Sequence, residues 1–191
     1  MWDHLSIARD RYLAFFRKGI RARRETQPSA TPELLLLPDG SEHLPELYRL
    51  YRMDLIWKNE QDQHRMNEFN LDPLPDLPAV LEGSVGSMRV IFYPVVWNAF
   101  EFRFPTIESD WAEFDRWYQK WLNLEDTNFR DSDGLSGVVH HAARPQIEGD
   151  MLVIPVDFGS APVNAVIELL QVLATAGVQR VEVGSFTFTA A

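Results

Sequence analysis

The most regular pattern of apolar and polar positions lies in the last third of the chain and predicts strands around a helix. Residues 151–158 form an almost unbroken apolar run, which is typical of a buried strand, and apolar side chains recur at helical spacing from Val163 to Ala176. Pro162 suits the first turn of this helix, and Gly177 suits its left-handed end. Two further strands are predicted at Val138–Val139 and at Val178–Phe186. This order of elements predicts a compact α/β core.

The first part of the chain has helical periodicity. From Trp2 to about Arg24, aromatic and aliphatic residues recur every three or four positions, with arginines between them. The wide apolar stripe favours a helix that packs on its own domain, although a basic amphipathic helix also suits a membrane surface or a protein partner. A similar stripe predicts a second helix from about Leu44 to His64. Between the two helices, residues 34–37 predict a short buried strand.

The proline-rich segment Leu71–Pro78 divides these elements into two groups. Its prolines cannot continue a helix, so an extended linker is expected there. We therefore predict an N-terminal helical segment over residues 1–78 and an α/β sandwich core over residues 79–191, packed as one compact unit.

The pattern of the core predicts a ferredoxin-like fold. Residues 88–97 and 99–104 are rich in strand-forming residues and are expected to pair as a hairpin, with one long bent strand as the alternative. A helix follows from Ser109, its cap, to Leu122. Without the first strand, the order is β-α-β-β-α-β, the split arrangement of ferredoxin-like folds. We expect an α+β fold of about four to five mostly antiparallel strands, with two helices on one face and the N-terminal helices on the other.

Charge is unevenly distributed along the chain. The formal net charge is −10, but residues 1–26 carry seven basic and three acidic residues, a local charge of +4. The remaining 11 basic and 25 acidic residues give −14. An acidic domain repels nucleic acid and favours a basic protein partner, although acidity also serves solubility alone.

Composition limits the chemistry and the location of the protein. The absence of cysteine excludes disulfides, thiolate catalysis and cysteine-based metal centres. Neither a membrane span nor a signal-peptide pattern is present in the sequence. We expect a cytoplasmic protein that needs no cofactor.

The histidines indicate no metal site. His140 and His141 are neighbours in a predicted strand, so their side chains should point to opposite faces rather than share one ion. The other histidines have no companion at the spacing of metal ligands.

One short stretch offers a candidate cleft. Asp157 ends a predicted strand, and with His141 or Ser160 nearby its carboxylate is a candidate general base. The alternatives are a side chain that binds loop N–H groups or Arg144, and a serine that caps the following helix.

Acidic and aromatic residues are concentrated between Glu108 and Asp133. Aromatic anchors beside charges are typical of protein interfaces, and the alternative is a solvated helix face over a buried tryptophan stripe. The candidate contact residues lie in the loop that follows the helix: Glu125, Asp126, Phe129, Asp131 and Asp133. We therefore predict a non-enzymatic acidic protein-binding domain, such as an inhibitor or an immunity protein that neutralises a basic toxin. An enzyme or small-ligand-binding domain with a cleft near Asp157, Ser160 and His141 is the alternative.

Overall fold

The structure, a computed structural model, describes residues 2–36, 47–71 and 80–186. Within these ranges the helices are α1 (Trp2–Thr26), α2 (Ala112–Leu122) and α3 (Val163–Thr175). The strands are β1 (Thr31–Leu36), β2 (Tyr51–Lys58), β3 (His64–Asn67), β4 (Leu81–Val85), β5 (Met88–Phe92), β6 (Phe100–Pro105), β7 (His141–Ala142), β8 (Gln146–Glu148), β9 (Met151–Asp157) and β10 (Arg180–Gly184). None of these helices has both the length and the apolar character needed to cross a bilayer. The predicted linker and the boundary between residues 78 and 79 lie almost entirely outside the described residues, so the division into two segments stays a prediction.

The described strands form two sheets. β1, β2 and β3 make an antiparallel sheet of three strands. The other seven strands make a larger sheet in the order β4-β5-β10-β6-β9-β7, with β8 also paired to β9. Only β5 and β10 pair in parallel within this sheet. The predicted α+β fold with mostly antiparallel strands is confirmed, but the seven-stranded sheet exceeds the four to five strands predicted.

One face of the larger sheet carries the hydrophobic core. The strand register aligns Phe102 with Ile154 and with Val183, and all three side chains are buried. Phe158 contacts Phe102 on one side and Trp117 of α2 on the other. The apolar faces predicted for α2 and α3 therefore pack on this side of the sheet.

Helix α1 packs on the same face. The ring of Trp2 contacts Phe92, which pairs with Val183 on the side covered by the helices. Arg9 of α1 donates a hydrogen bond from Nε to the carbonyl of Ala161, which lies just before α3, at 2.9 Å. The prediction that this helix packs on its own domain is confirmed. Paired residues of neighbouring strands project to the same face of a sheet, so Phe92, Val183 and Phe102 lie on one face. Because Trp2 of α1 contacts Phe92 on that face, the expectation that α1 covers the opposite face is wrong.

The predicted second helix, Leu44–His64, is wrong over its described part. A 3₁₀ turn at Leu47–Arg49 leads into the hairpin of β2 and β3. Residues Arg52–Ile56 of β2 are all buried, so both faces of the strand contact protein. A strand buried on both faces lacks apolar–polar alternation, and its run of large apolar side chains imitates a helical stripe.

The expected hairpin between residues 88–97 and 99–104 is also wrong. β10 lies between β5 and β6, and β5 instead forms a hairpin with β4 through Gly86, whose φ is 57°. Trp97 does not lie at a hairpin tip. It is buried, and its indole N–H donates to the carbonyl of Gly159 at 3.0 Å. This bond fixes the loop that follows β9, where the candidate site lies.

Candidate functional site

A cleft opens where the two sheets meet. A backbone hydrogen bond of 2.8 Å from Arg52 N in β2 to His140 O, next to β7, brings the sheets together. The cleft has a volume of about 380 Å³. Its polar walls include Asp54, Glu68, Asn98, His140, His141 and Asp157.

His140 lies at the floor of this cleft between carboxylates. Its Nε2 lies 3.0 Å from Oε1 of Glu33. Its Nδ1 lies 2.6 Å from Oδ1 of Asp54 and 3.9 Å from Oδ2 of Asp157. The contact between Nδ1 and Asp54 is a close ion pair that lacks hydrogen-bond geometry. Nδ1 is buried and has no hydrogen-bond partner among the described residues. The imidazole is therefore anchored through Nε2, and Nδ1 faces the two aspartates.

Glu33 reaches this position through an unusual backbone conformation. Its φ of 53° is left-handed, which is uncommon for a residue other than glycine. It interrupts the pairing of β1 with β2 between Pro32 and Leu34, and its side chain is fully buried. Its Oε2 accepts hydrogen bonds from the backbone N–H and the hydroxyl of Ser136 at 2.6 and 3.0 Å. Such local strain persists only where the surroundings impose it, and it is concentrated at functional sites.

In each aspartate of the cluster, one carboxylate oxygen accepts a hydrogen bond from a backbone N–H. Oδ2 of Asp54 accepts a hydrogen bond from the N–H of Phe69 at 2.5 Å. Oδ1 of Asp157 accepts one from the N–H of Gly159 at 2.8 Å. The remaining oxygens face His140, and ligand atoms of Asp54, His140 and Asp157 all lie within 4.8 Å of one another.

The electrostatics of the cluster favour added positive charge. Burial opposes ionisation of Glu33, but hydrogen bonds from His140, Ser160 and Ser136 outweigh it and lower the pKa of Glu33. Burial likewise opposes a charge on His140, but Asp54 and Glu33 outweigh it and raise the pKa of His140 well above its usual range. Burial raises the pKa of Asp157 to about 7, although 27% of its side chain is exposed and His140 opposes the shift. Three carboxyl groups thus surround one imidazole.

Helix α1 closes one side of the cluster. The ring of Phe16 meets His140 edge-on, with centroids 5.8 Å apart. The hydroxyl of Tyr12 is buried and has no hydrogen-bond partner within the described part of the chain. Burial is the main cause that raises the pKa of Tyr12 well above its usual range, and the charges of Asp54, Asp157 and Glu33 add to the shift.

A second, shallower lobe continues from the cleft. Its volume is about 260 Å³, and it shares Asn98, His141 and Asp157 with the first lobe. Phe100 and Pro155 form part of its apolar wall. Asp157 therefore lies at the junction of two adjoining spaces.

The structure places two of the three predicted cleft residues in the cleft. Asp157 and His141 line both lobes. Ser160 is buried instead, and its hydroxyl accepts hydrogen bonds from the N–H groups of Gly137 and Val138 at 2.9 and 3.1 Å. The interpretation of Ser160 as a helix cap is wrong, because Pro162 precedes α3 and makes no side-chain cap.

The acidic loop predicted to bind a partner is largely held by basic residues of the chain itself. Asp131 binds Arg17 at 2.8 Å, and Asp133 binds Arg21 through two hydrogen bonds of 2.8 Å. Further along, the buried guanidinium of Arg52 lies 3.0 Å from Asp126. Glu125 is exposed, and Phe129 is 90% exposed. Both side chains are accessible to a partner.

Two residues of the cluster, Glu33 and Asp54, were not predicted from the sequence. Glu33 directly precedes a run of four leucines, Asp54 lies between Met53 and Leu55, and both acidic side chains are buried. A charged side chain inside an apolar run is the available signal, because a buried charge requires a partner. The partner, His140, is distant from both residues in the sequence, so no local pattern links it to them.

Comparisons with protein-family models, with curated proteins and with solved structures found no match to this chain. A functional assignment therefore depends on the chemistry of the cleft.

Proposed function

We propose that the cleft between the two sheets is the functional site, and that it binds a small ligand carrying a positive charge. The observation that carries this proposal is the cluster of Glu33, Asp54 and Asp157 around the single imidazole of His140. Burying like charges together is costly unless an opposite charge compensates them. A protonated His140 compensates one of the three carboxylates, and a cationic ligand supplies further compensation.

The basic residue in the cleft wall does not neutralise the carboxylates. The side chain of Arg52 is fully buried, and its guanidinium donates to backbone carbonyls of Leu122, Glu33 and Asn123 at 2.6–2.7 Å. The exposed carboxylate of Glu68 adds further negative charge at the rim. The space above the cluster is therefore suited to ammonium groups, amidinium groups or metal ions.

The two lobes also support an enzymatic role for the same site. A ligand that occupies both lobes places its central atoms beside Asp157 and His141. A carboxylate at such a junction is positioned to accept or donate a proton during a reaction. In this proposal Asp157, with no metal ion bound to it, is the general acid–base group, and Asp54 and Glu33 hold His140 in place.

Calorimetric titration with small amines tests the proposal. Agmatine and ethylenediamine should bind saturably, whereas succinate, an anion, should not. Asp157→Asn keeps an oxygen for the Gly159 N–H but loses the charge, and it should weaken amine binding about tenfold or more, as expected for a hydrogen bond to a charged group. Asp150→Asn, a change at an exposed aspartate outside the cleft, should bind like the wild type. Equal affinity of Asp157→Asn and wild type, or no saturable binding of any cation, would contradict the proposal.

The strand order of the larger sheet relates the site to a known arrangement of strands. We propose that β6, α2, β7, β9, α3 and β10 form a ferredoxin-like split β-α-β unit, which β4 and β5 extend at one edge. The spatial order β10-β6-β9-β7 supports this interpretation. Asp157, at the end of β9, then lies where one central strand enters its crossover loop.

A second candidate function is binding of a basic protein in the cytoplasm, such as a toxin that the chain inhibits. The observation in its favour is Phe129, whose large apolar side chain is 90% exposed in the same loop as the exposed Glu125. Exposed aromatics of this kind anchor protein interfaces. Charge steering would then depend mainly on Glu125, because Asp126, Asp131 and Asp133 are paired within the chain.

Affinity capture from the native host tests this second function. A specific partner should be lost with Phe129→Ala and kept with Ile147→Ala, a matched change at another exposed apolar residue. In kinetics on the captured protein, Phe129→Ala should speed dissociation, and Glu125→Gln should slow association at low salt. Capture that is insensitive to Phe129→Ala would exclude this loop.

A further inference from the structure

We infer that Asp54, His140 and Asp157 form a binding site for a divalent metal ion, with Asp54 Oδ1, His140 Nδ1 and Asp157 Oδ2 as ligands. The inference rests on the proposed function, since the metal ion is the cation that the cleft accepts. The three residues come from β2, the segment before β7 and the end of β9. Their ligand atoms lie within 4.8 Å of one another.

Each of the three side chains is fixed by its other polar atom. Glu33 holds Nε2 of His140, the N–H of Phe69 holds one oxygen of Asp54, and the N–H of Gly159 holds one oxygen of Asp157. Metal-binding histidines almost always donate their second N–H to a carboxylate or carbonyl, which fixes the tautomer and orients the ring. Glu33 has this relationship to His140, and its own second oxygen is fixed by Ser136. The supporting contacts of a metal site are therefore built into the fold.

Some buried polar atoms at the cleft have no hydrogen bond. Among the described residues these include Nδ1 of His140 and Oδ1 of Asn98, which both belong to cleft residues, and the hydroxyl of Tyr12 in α1 is a further case. Nδ1 is in ion-pair contact with Asp54 at 2.6 Å but has no hydrogen-bond geometry there. Buried polar atoms normally have partners, so each such atom requires an explanation. A metal ion held between Nδ1 and the two aspartates would give Nδ1 a bonded partner.

The donor set and the geometry indicate a transition metal. Imidazole nitrogen with carboxylate oxygens suits Zn²⁺, Mn²⁺ and Fe²⁺, whereas Mg²⁺ and Ca²⁺ prefer oxygen alone. Bonds of about 2.0–2.2 Å to a tetrahedral zinc ion place ligand atoms about 3.4 Å apart. The pair of His140 Nδ1 and Asp54 Oδ1, now 2.6 Å apart, would therefore widen by about 0.8 Å, and pairs as far apart as 4.8 Å would close by about 1.4 Å. Three protein ligands with an open side match catalytic rather than structural zinc sites, and here the open side faces the cleft.

Metal titration of the full-length, tag-free chain tests the inference. After treatment with EDTA, Zn²⁺ should bind to a single saturable site by calorimetry. Co²⁺ should produce the visible absorption of a low-symmetry site with nitrogen and oxygen ligands, a readout independent of any activity. Asp157→Asn is the main variant, because its amide keeps the Gly159 hydrogen bond but replaces the coordinating oxygen by NH₂. It should weaken Zn²⁺ binding by more than about tenfold, since loss of even a supporting contact costs 10–100-fold.

Two matched controls separate coordination from general charge. Glu68→Gln removes the same charge from the wall of the same cleft but no ligand, so it should keep the Co²⁺ spectrum. His141→Asn removes the neighbouring cleft histidine and should also keep it, whereas His140→Asn should abolish it. If His140→Asn does not fold, Asp157→Asn, whose side chain is partly exposed, still decides the question.

The outcomes distinguish this inference from the proposed function. Lack of a saturable metal site, or equal loss in Asp157→Asn and Glu68→Gln, would overturn the metal site. If amines then still bind in a manner that depends on Asp157, the cationic cleft stands without a metal. If neither amines nor metals bind, both the inference and the proposed function fail.

Discussion

Glu33 and His140 lie 107 positions apart in the sequence, and Oε1 of Glu33 lies 3.0 Å from Nε2 of His140. Neither side chain has appreciable contact with solvent. Glu33 belongs to the small sheet, and His140 directly precedes β7 of the large sheet. The pair therefore links the two sheets beneath the cleft.

Replacing Glu33 by Gln should strongly destabilise the protein. The amide keeps the size of the side chain but leaves His140 without its buried counter-charge, and breaking one side of a buried ion pair costs about 3–5 kcal/mol. The measurement is the free energy of unfolding from urea denaturation. Glu148→Gln, at an exposed position in β8, serves as the control and should change stability by less than about 0.5 kcal/mol. Similar values for the two variants would mean that the pair contributes little to folding.

The elements that were predicted correctly have a burial pattern that is visible within one short segment: either one buried helix face or one unbroken apolar run. β9 and α3 were predicted almost to the residue, because an apolar run bounded by turns and a helical stripe are each complete within one segment. β2 was assigned to a helix, since its burial on both faces depends on contacts far away in the sequence. The insertion of β10 between β5 and β6 depends in the same way on pairing across most of the core.

The candidate site was predictable only in part, for the same reason. Asp157 and His141 were found because polar residues at the ends of strands are local signals. Asp54 and Glu33 acquire their roles only when the small sheet docks on His140, a contact that no local pattern encodes. The acidic loop shows the converse. Its charges looked available for a partner, but Arg17 and Arg21 of α1 already bind Asp131 and Asp133.

Leu170→Ala should cost about 2–5 kcal/mol of stability, as truncation of a buried leucine does. Leu170 lies on the predicted buried face of α3, and its side chain has no exposed surface. The neighbouring Gln171 is exposed on the same helix, so Gln171→Ala should change stability by less than about 0.5 kcal/mol. The midpoints of urea unfolding give both values. A loss well below 1 kcal/mol for Leu170→Ala would contradict the packing of α3 on the sheet.

Stability should fall in acid partly because Asp131 and Asp133 lose their bonds to α1. The hydrogen bond from Arg21 is the main cause of a lowered pKa for Asp133. Burial opposes ionisation of Asp131, but N–H groups of the loop and Arg17 outweigh it and lower the pKa of Asp131. Because each folded-state pKa lies below the unfolded value of about 3.9, the stabilisation is complete above that pH. It is lost as the pH falls through the lower, folded-state values.

The double variant Asp131→Asn with Asp133→Asn should show this loss as a smaller dependence of stability on pH below about 4. The measurement is urea unfolding at several pH values. Asp150→Asn should retain the slope of the wild type, since its exposed side chain lies outside the loop. A double variant with an unchanged slope would show that the contacts of α1 with the loop do not contribute to acid sensitivity.

Gly159→Ala should disturb the site more than an equivalent change elsewhere. Gly159 has a φ of +47°, and a Cβ at this position would overlap the imidazole of His140. The ring has little room to move, because Glu33 holds Nε2 and Asp54 contacts Nδ1. Gly149 provides the matched control. Its φ is +66°, and an added Cβ would meet nothing within 4 Å.

Both alanines have the cost of a left-handed backbone, about 1–2 kcal/mol, so the difference between them isolates the contact with His140. We expect Gly159→Ala to be less stable than Gly149→Ala by about 1–3 kcal/mol, the range for an overpacked interior. In NMR spectra, the imidazole resonances of His140 should shift in Gly159→Ala and remain unchanged in Gly149→Ala. Equal losses of stability with an unperturbed His140 would mean that the ring moves freely. The cluster would then lack the rigidity that binding of a cation in the cleft requires.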